Sequence, residues 1–223
     1  MAFRRHILGA VALSAFLGFS STASAQNRTF SFAYDQPPTT AYGIAANIFD
    51  AKLKELSGGK MSINQFPGAQ LGQEPQMLQK MRAGDIDFVI TSTANASTVA
   101  PQAGVFSLHF LFRDQNHLAK SLADPAISQA FRHMTKESVT GARTLGLLTM
   151  GLRNMYSKKE IVNVNDIKGQ KIRVQATKTE DTHFPAYGAQ VVHMPFGDVY
   201  TSLQTRSEEH TSELQSPCNL VCR

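Results

Sequence analysis

The chain has 223 residues, and its 22 lysine and arginine residues exceed its 17 acidic residues to give a formal net charge of +5 at pH 7. The sequence shows no run of five or six basic residues, which excludes the electrostatic footprint of a nucleic-acid-binding protein. Both cysteines, Cys218 and Cys222, lie near the C-terminus, so the rest of the chain has no disulfide framework.

The N-terminal residues have the three parts of a secretory signal peptide. Arg4-Arg5 is a positive region, residues 7–19 form an apolar core that is short for a membrane span, and Ala23-Ser24-Ala25 is a small-residue cleavage site. A retained membrane anchor is the alternative. We interpret residues 1–25 as a signal peptide and expect the exported protein to begin at Gln26.

The next part of the sequence alternates predicted strands and helices. Residues 30–34 alternate apolar and polar side chains, as in a strand, and apolar residues recur every three or four positions over residues 41–56, as in a helix. The same criteria predict a strand at 61–66, a helix at 75–83 and a strand at 86–90. Strands separated by such helices predict βαβ units, a mainly parallel sheet and the α/β class.

Residues 91–95 are predicted to be a polar loop at the carboxyl end of the third strand. Ligands bind at such ends in open α/β sheets, so Ser92 is a candidate contact, and an ordinary polar loop is the alternative. Beyond it we predict a helix over residues 114–136 that is capped by Asp114 and interrupted at Asp124-Pro125.

The rest of the chain is predicted to hold short strands. The strands are expected at residues 142–150, at 152–157 and around Arg173, with a short turn or helix at 163–168. We place a domain boundary near Gly151, which separates residues 26–150 from residues 151–205.

Arg153 and Arg173 indicate a site for a carboxylate. A guanidinium is a rigid fork of donors that matches both carboxylate oxygens and stays charged at physiological pH. Arg173 lies in the apolar run Ile172-Arg173-Val174, where a buried arginine is either paired or costly. The structural alternatives are a surface position for Arg153 and an internal pair between Arg173 and Asp166 or Asp198.

The sequence around these arginines belongs to a long ordered signature. Its segments are Gly151-Leu152-Arg153-Asn154, Asp166-Ile167-Lys168-Gly169-Gln170-Lys171-Ile172-Arg173-Val174, Tyr187-Gly188-Ala189 and Met194-Pro195-Phe196-Gly197-Asp198-Val199-Tyr200, with Phe66-Pro67-Gly68-Ala69-Gln70-Leu71-Gly72 and Gly84-Asp85-Ile86-Asp87-Phe88 upstream. From about residue 29 to residue 205 the chain resembles the dicarboxylate-binding (DctP) family of solute-binding proteins of the tripartite ATP-independent periplasmic (TRAP) transporters.

The resemblance implies a two-lobed α/β fold of the type II periplasmic binding proteins. It also implies a periplasmic receptor, not an enzyme, that binds an organic acid without a cofactor or metal. The two lobes close around this ligand, and the receptor delivers it to the membrane permease subunits of a TRAP transporter. No nucleic-acid partner is expected.

The resemblance also assigns roles to individual residues. Arg173 matches the principal carboxylate-binding arginine of the family, and Arg153 matches a second, weaker anion contact. Phe196 lies where the family often has an apolar ligand contact, with core packing as the alternative, and Ser92 lies where some members contact the ligand. Asp35 follows the first strand and is a candidate ligand contact. A carboxylate beside an anion site is unfavourable unless it hydrogen-bonds a hydroxyl or amine of the ligand, so Asp35 indicates a ligand with such a polar group.

The chain departs from the family pattern at two places. Ala176 replaces an asparagine expected three positions after Arg173, which removes one expected hydrogen bond. Residues 206–223 do not follow the pattern and can be back-translated into a common sequencing-library adapter, so we interpret them as a non-native tail. The remainder of the second lobe is then expected to be missing.

An exported hydrolase that acts on acidic substrates is the alternative function. The sequence offers no clear pair of nucleophile and base for it. Glu180, Asp181 and His183 suggest a metal cluster, but acids at the start of a helix complement the helix dipole, and we expect this simpler role.

Overall fold

The computed structural model describes residues 27–139 and 141–205, and the backbone of residues 218–222. The predicted signal peptide and residues 206–217 of the predicted tail lie outside the described residues. The elements of the N-terminal half are β1 (Arg28–Ala33), α1 (Ala41–Ser57), β2 (Met61–Phe66), α2 (Glu74–Ala83), β3 (Phe88–Ser92), α3 (Thr93–Ala96), a 3-10 helix (Pro101–Ser107) and α4 (Gln115–Ala123).

The C-terminal half has shorter elements. They are α5 (Pro125–Ser138), β4 (Arg143–Leu148), a 3-10 helix (Val164–Ile167), β5 (Lys171–Val174), α6 (Lys178–Ala186), β6 (Gln190–His193), α7 (Phe196–Gln204) and β7 (Cys218–Cys222). Among the described residues, no helix combines the length and the apolar character that crossing a membrane requires.

The strands form two sheets, and the larger one is mixed. Its order is β2-β1-β3-β7-β4, and β1 is parallel to both β2 and β3, which confirms the predicted βαβ units. The prediction of a mainly parallel sheet is wrong for the other half, because β7 is antiparallel to both β3 and β4. The second sheet contains β5 and β6, which are parallel and joined by α6.

Helices cover both faces of the larger sheet, so alternate residues of β1 and its continuation enter different cores. Phe32 and Tyr34, both fully buried, pack with Tyr42 of α1. Ala33 faces the opposite side and packs with Met77 of α2. A third core under the second sheet contains Ile172, Val174 and Phe184, among others.

The helix predicted from the periodicity of residues 41–56 is confirmed as α1, but its apolar residues are not all buried. Ile44, Ile48 and Leu56 are 54%, 65% and 75% exposed, whereas Tyr42, Gly43 and Ala46 are buried. Gly43 lets the helix lie close to the chain that leads into it, at Pro38. The periodicity therefore identifies the helix but not its buried face.

Replacing Gly43 by alanine is expected to destabilise the protein by about 2 kcal/mol, because overpacking a filled core typically costs about 1–3 kcal/mol. A Cβ atom at this position would lie 2.0 Å from the carbonyl oxygen of Pro38. Urea unfolding would measure the change. Gly146→Ala is the matched control, since its Cβ meets no atom within 4 Å. Equal stability of the two variants would contradict this packing.

The helix predicted over residues 114–136 is confirmed, with its cap at Asp114 and its interruption at Asp124-Pro125. The break at Asp124-Pro125 separates α4 from α5, and Asp114 Oδ1 accepts a hydrogen bond of 2.7 Å from the amide of His117. Leu118 and Phe131 are each 1% exposed, as expected for the inward face.

The predicted strand at residues 152–157 is wrong. These residues have no regular secondary structure and connect the two sheets. Gly151 begins this connection with φ of 108°, and its amide donates to Thr149 Oγ1 at 2.9 Å. This left-handed turn ends the extended conformation that β4 would otherwise continue. The division of the chain into two lobes near Gly151 stays a prediction.

Candidate functional site

Two pairs of parallel strands, one pair from each sheet, end at one cavity. Residues that follow β1 and β3 of the larger sheet face residues that follow β5 and β6 of the smaller sheet. The cavity has a volume of about 190 Å³ and is lined by Asp35, Gln73, Glu74, Pro75, Gln76, Asn95, Gln175, Ala176, His193, Met194, Pro195 and Phe196. We call this space the cleft. Its place agrees with the rule that ligands bind beyond the carboxyl ends of strands in open α/β sheets.

Arg173 lies at the end of β5 and is 5% exposed. Its Nε and Nη2 atoms donate to the carbonyl oxygen of Met194, at 2.9 and 2.5 Å. Met194 directly follows the neighbouring strand β6 and lines the cleft. Its carbonyl oxygen therefore orients the guanidinium of Arg173 next to the cleft. Asp166, one proposed internal partner, accepts instead from the amides of Val162 and Asn163.

Arg153 does not lie on the surface, which was the structural alternative for this residue. Its side chain is 15% exposed, and Nη1 forms an ion pair with Oε1 of Glu180, whose side chain is 1% exposed. Arg153, Arg173 and Glu180 line one small gap of about 10 Å³, and Gln175 lies in the walls of both the gap and the cleft. The structure therefore brings the two predicted arginines together beside the cleft.

Glu180 has a second role besides the expected contact with the helix dipole. It does lie in the first turn of α6, where it complements the helix dipole, but it is also fully buried against Arg153. The distance from Glu180 Oε2 to His109 Nε2 is 3.8 Å, which is beyond hydrogen-bond length, so we treat this contact as electrostatic. Burial opposes ionisation of Glu180, but the attraction of His109 and Arg153 outweighs it and lowers the pKa of this carboxyl group.

His183 belongs to the same cluster. Burial, and after it the nearby His109, lowers the pKa of the His183 imidazole. The rings of His109 and His183 have centroids 4.6 Å apart. Asp181, the remaining member of the suspected metal cluster, pairs with His193 Nε2 at 2.5 Å. In the part of the chain that the structure describes, no three potential metal ligands lie together.

Ser92 connects the two sides of the cleft. The prediction of a loop at residues 91–95 is wrong, because Thr91 and Ser92 end β3 and the short helix α3 follows at once. Ser92 Oγ caps this helix by accepting from the amide of Asn95 at 3.2 Å. Ser92 Oγ also accepts a hydrogen bond of 2.8 Å from Nε2 of Gln175, two residues after Arg173.

Glu74 is the main site residue that the sequence reasoning missed. It is 3% exposed, and its carboxylate accepts from Asn95 Nδ2 and Ser92 Oγ at 2.7 Å each, from Thr91 Oγ1 at 3.0 Å, and from Tyr42 at 3.3 Å. The amide of Ser92 adds a further donor at 3.0 Å. The position of Glu74 directly before Pro75, at the start of a predicted helix, was the available signal, but a helix start alone suggests only a dipole contact.

Asp35 lies beside Glu74 and is 6% exposed. Its Oδ1 atom has no hydrogen-bond partner among the described residues. Burial, followed by the negative charge of Glu74, raises the pKa of Asp35 well above its ordinary value of 3.8. This wall of the cleft therefore contains two adjacent carboxyl groups: Glu74 accepts from several donors, whereas Oδ1 of Asp35 has no hydrogen-bond partner among the described residues.

Replacing Asp35 by asparagine is expected to raise the melting temperature at neutral pH. Because the pKa of Asp35 is raised on folding, its contribution to stability is complete below 3.8, the ordinary value, and is lost as the pH rises through the folded value. The difference between Asp35→Asn and the wild type should thus grow above pH 3.8 and then level off. Thermal unfolding from pH 3 to pH 8 measures it, with exposed Asp85→Asn as the control. A constant difference across this range would contradict the assignment.

Phe196 is half-buried and lines the cleft opposite Asp35 and Glu74. It was expected just before the last helix and is in fact the first residue of α7, after the N-cap Pro195. Ala176 also lines the cleft, and it leaves there a methyl group where the resembling family has an amide. Four of the five predicted site residues thus lie in or directly beside the cleft, and Arg153 lies across the gap.

A second cavity is larger but has different chemistry. It has a volume of about 300 Å³ and a mainly apolar lining, which includes residues 106–112 and Phe184. Of the predicted site residues only Arg153 reaches it. We assign the candidate site to the smaller cleft, because convergent polar groups and not volume alone distinguish a site for a charged ligand.

The family model described as bacterial extracellular solute-binding protein, family 7 (DctP), matches residues 32–208. The chain belongs to the DctP family. This result confirms the resemblance that the sequence segments indicated.

Two curated relatives of this DctP-family chain are named for the acids they bind. The 2,3-diketo-L-gulonate-binding periplasmic protein of Escherichia coli is 30% identical over 205 residues, which cover 90% of this chain and 60% of the relative. The C4-dicarboxylate-binding periplasmic protein of Shewanella loihica is 28% identical over 205 residues, which cover 92% of this chain and 60% of the relative. The chain thus spans about 60% of the length of these relatives.

Solved structures confirm the α/β periplasmic binding protein fold of this DctP-family chain. A TRAP periplasmic solute binding protein from Xanthobacter autotrophicus with bound β-D-galacturonate has a TM-score of 0.80 and 26% identity, and the match covers 86% of this chain and 71% of that one. A protein of the same description from Citrobacter koseri with bound D-glucuronate has a TM-score of 0.79 and 25% identity, with coverages of 87% and 72%.

Proposed function

We propose that the protein is a periplasmic solute receptor that binds an organic acid in the cleft and delivers it to the permease subunits of a TRAP transporter. The names of its relatives support this proposal, since they are periplasmic proteins that bind diketogulonate or C4-dicarboxylates. The solved TRAP proteins that bind galacturonate and glucuronate support it as well.

The observation that carries the proposal is the position of Arg173. This buried guanidinium lies at the end of β5 beside the cleft and is oriented by the carbonyl oxygen of Met194. An arginine held in this way can donate bidentate hydrogen bonds to a carboxylate with little further loss of side-chain entropy. Arg153 adds positive charge on the other side of the gap, although Glu180 already pairs with it.

We propose hinge closure as the mechanism of binding. The first lobe, residues 26–150, contributes Asp35, Glu74 and Ser92, and the second lobe, residues 151–205, contributes Arg173 and Phe196. An ion pair between Arg173 and a carboxylate is stronger in a closed, dry cleft than in an open, wet one, so the ligand shifts the population toward the closed form. The hydrogen bond between Gln175 and Ser92 supports this closed arrangement, because it joins the two walls directly.

We propose export to the periplasm through a signal peptide at residues 1–25. The periplasmic names of the relatives support this location. Sequencing the N-terminus of the exported protein would test the cleavage site, and a start other than Gln26 would contradict it.

A thermal-shift screen with organic acids tests the proposed function. A ligand that binds only the folded state stabilises it by mass action, by about 2.7 kcal/mol at a ligand concentration of one hundred times its Kd. This gain in stability raises the melting temperature. We expect at least one acid to raise it, and the corresponding neutral amide to have no effect. If no mono-, di- or sugar acid shifts the transition, the receptor proposal is wrong.

The hydrolase alternative has no support from the family, whose members are solute receptors. The two functions also predict different fates for the ligand. A receptor returns the bound acid unchanged after a long incubation, and NMR of the recovered acid would detect any turnover.

A further inference from the structure

We propose that the acid taken up in the cleft carries one carboxylate and hydroxyl groups at its opposite end, and that the wall formed by Asp35 and Glu74 rejects a second carboxylate there. This inference rests on the proposed receptor function and adds the class of its ligand. It follows from the unequal distribution of charge between the two walls of the cleft.

The two ends of the site have opposite charge. Arg153 and Arg173 line the gap on the side of the second sheet, whereas Asp35 and Glu74 belong to the wall on the side of the first sheet. Gln175 lies between them, because it lines both spaces. A ligand whose carboxylate reaches Arg173 therefore directs its other end toward the two acids.

The acidic wall has little positive charge to compensate for a second ligand carboxylate. Among the described residues that line the cleft, the only basic side chain is His193. Its Nε2 atom is already paired with Asp181 Oδ1 at 2.5 Å. A second carboxylate here would be the third carboxyl group in a buried space, and like charges in such a space repel strongly.

The hydrogen-bonding groups of this wall favour a hydroxyl. Asp35 Oδ1 is buried and has no partner among the described residues, so it offers a position for a ligand donor. A hydroxyl both donates and accepts, and it therefore suits Asp35 whether this carboxyl group is protonated or not. A ligand carboxylate only accepts, so it suits Asp35 only in the protonated form and still meets the charge of Glu74.

A hydroxyl group also suits this wall better than a methyl or an ammonium group. A methyl group at this end would leave Oδ1 of Asp35 buried without a partner, and a site built to hydrogen-bond a hydroxyl group rejects analogues without it strongly. An ammonium group would supply donors but would offer no acceptor to Asp35, whose pKa is raised by burial. The neighbouring side chains of Asn95 and Gln76 lie in the same lining and can serve further hydroxyl groups of a longer ligand.

Two matched series of acids test the inference by calorimetric titration of the protein. The four-carbon series is erythronate, succinate, butyrate and 4-aminobutyrate, and the six-carbon series is gluconate, adipate, hexanoate and 6-aminohexanoate. In the series that binds more tightly, we expect the polyhydroxy acid to bind at least about tenfold more tightly than the other three members. A dicarboxylate or amino acid that binds as well as the polyhydroxy acid would overturn the inference and leave the receptor function intact. Failure of both series to bind would contradict the receptor function itself.

The variant Asp35→Ala locates the preference. It should lower the affinity for the polyhydroxy acid by about tenfold and raise the affinity for the unsubstituted acid of equal length, which then no longer leaves Oδ1 of Asp35 buried without a partner. Asp85→Ala removes an equal charge from an exposed position outside the cleft and serves as the control. Thermal unfolding verifies that both variants fold. If Asp35→Ala weakens both acids equally, or neither, Asp35 does not contact the hydroxyl end and the inference is wrong.

Discussion

Replacing Arg173 by alanine is expected to weaken binding of the cognate acid by about 100-fold or more, because removing one partner of a buried charge pair costs about 2–5 kcal/mol. Arg173 is 5% exposed and has no comparable substitute on its wall, since Arg153 is already paired with Glu180. Isothermal titration calorimetry with the acid identified by the thermal-shift screen measures the loss.

Two further variants separate the role of this arginine from a general effect of charge. Arg173→Lys keeps the positive charge but not the two-pronged geometry, so we expect an intermediate affinity. Arg132→Ala removes an exposed arginine that donates hydrogen bonds to Ser128 and lies outside the cleft lining, and it should bind like the wild type. An affinity of Arg173→Ala within threefold of the wild type, with normal thermal unfolding, would count against the proposed site.

Replacing Glu180 by alanine is expected to destabilise the protein by about 3–5 kcal/mol, the usual cost of removing one partner from a buried ion pair. The change leaves the buried guanidinium of Arg153 without its acid and removes the negative charge near His109. Urea unfolding measures the difference. Asp181→Ala is the matched control, because Asp181 lies in the same first turn of α6 but its side chain is 45% exposed. Equal effects of the two changes would mean that the helix dipole alone explains both acids.

The same pair predicts a dependence on pH. The pKa of Glu180 is lowered on folding, so its contribution to stability is present above the ordinary value of 4.5 and is lost as the pH falls through the folded value. The difference in stability between the wild type and Glu180→Gln should therefore shrink below pH 4.5. Urea unfolding at pH 3 to pH 7 measures this, and a difference that stays constant in acid would contradict the lowered pKa.

Local signals in the sequence were enough for much of the first half of the fold. The periodicity of residues 41–56, the cap at Asp114 and the break at Asp124-Pro125 act within one or two helical turns, and all three are confirmed. One failure involves partners that are distant in sequence. The pattern of residues 142–150 predicts a strand but carries no information on its neighbour, which in the structure is the antiparallel β7.

The candidate site shows the same limit. Arg173 and Arg153 were predicted as functional residues because a guanidinium matches a carboxylate and because the resemblance places binding arginines at both positions. Glu74 and Glu180 were not, because their partners lie far away along the chain: Asn95 is 21 residues from Glu74, and Arg153 is 27 residues from Glu180. Only the folded chain brings these donors together.

The most direct test of the central claim is a crystal structure of the protein with the acid that the thermal-shift screen identifies. We expect the acid to lie in the cleft, with both oxygens of its carboxylate within about 3 Å of the guanidinium nitrogens of Arg173. We also expect the opposite end of the acid to contact Asp35. An acid bound instead in the larger apolar cavity near Phe184, away from Arg173, would contradict the assignment of the site.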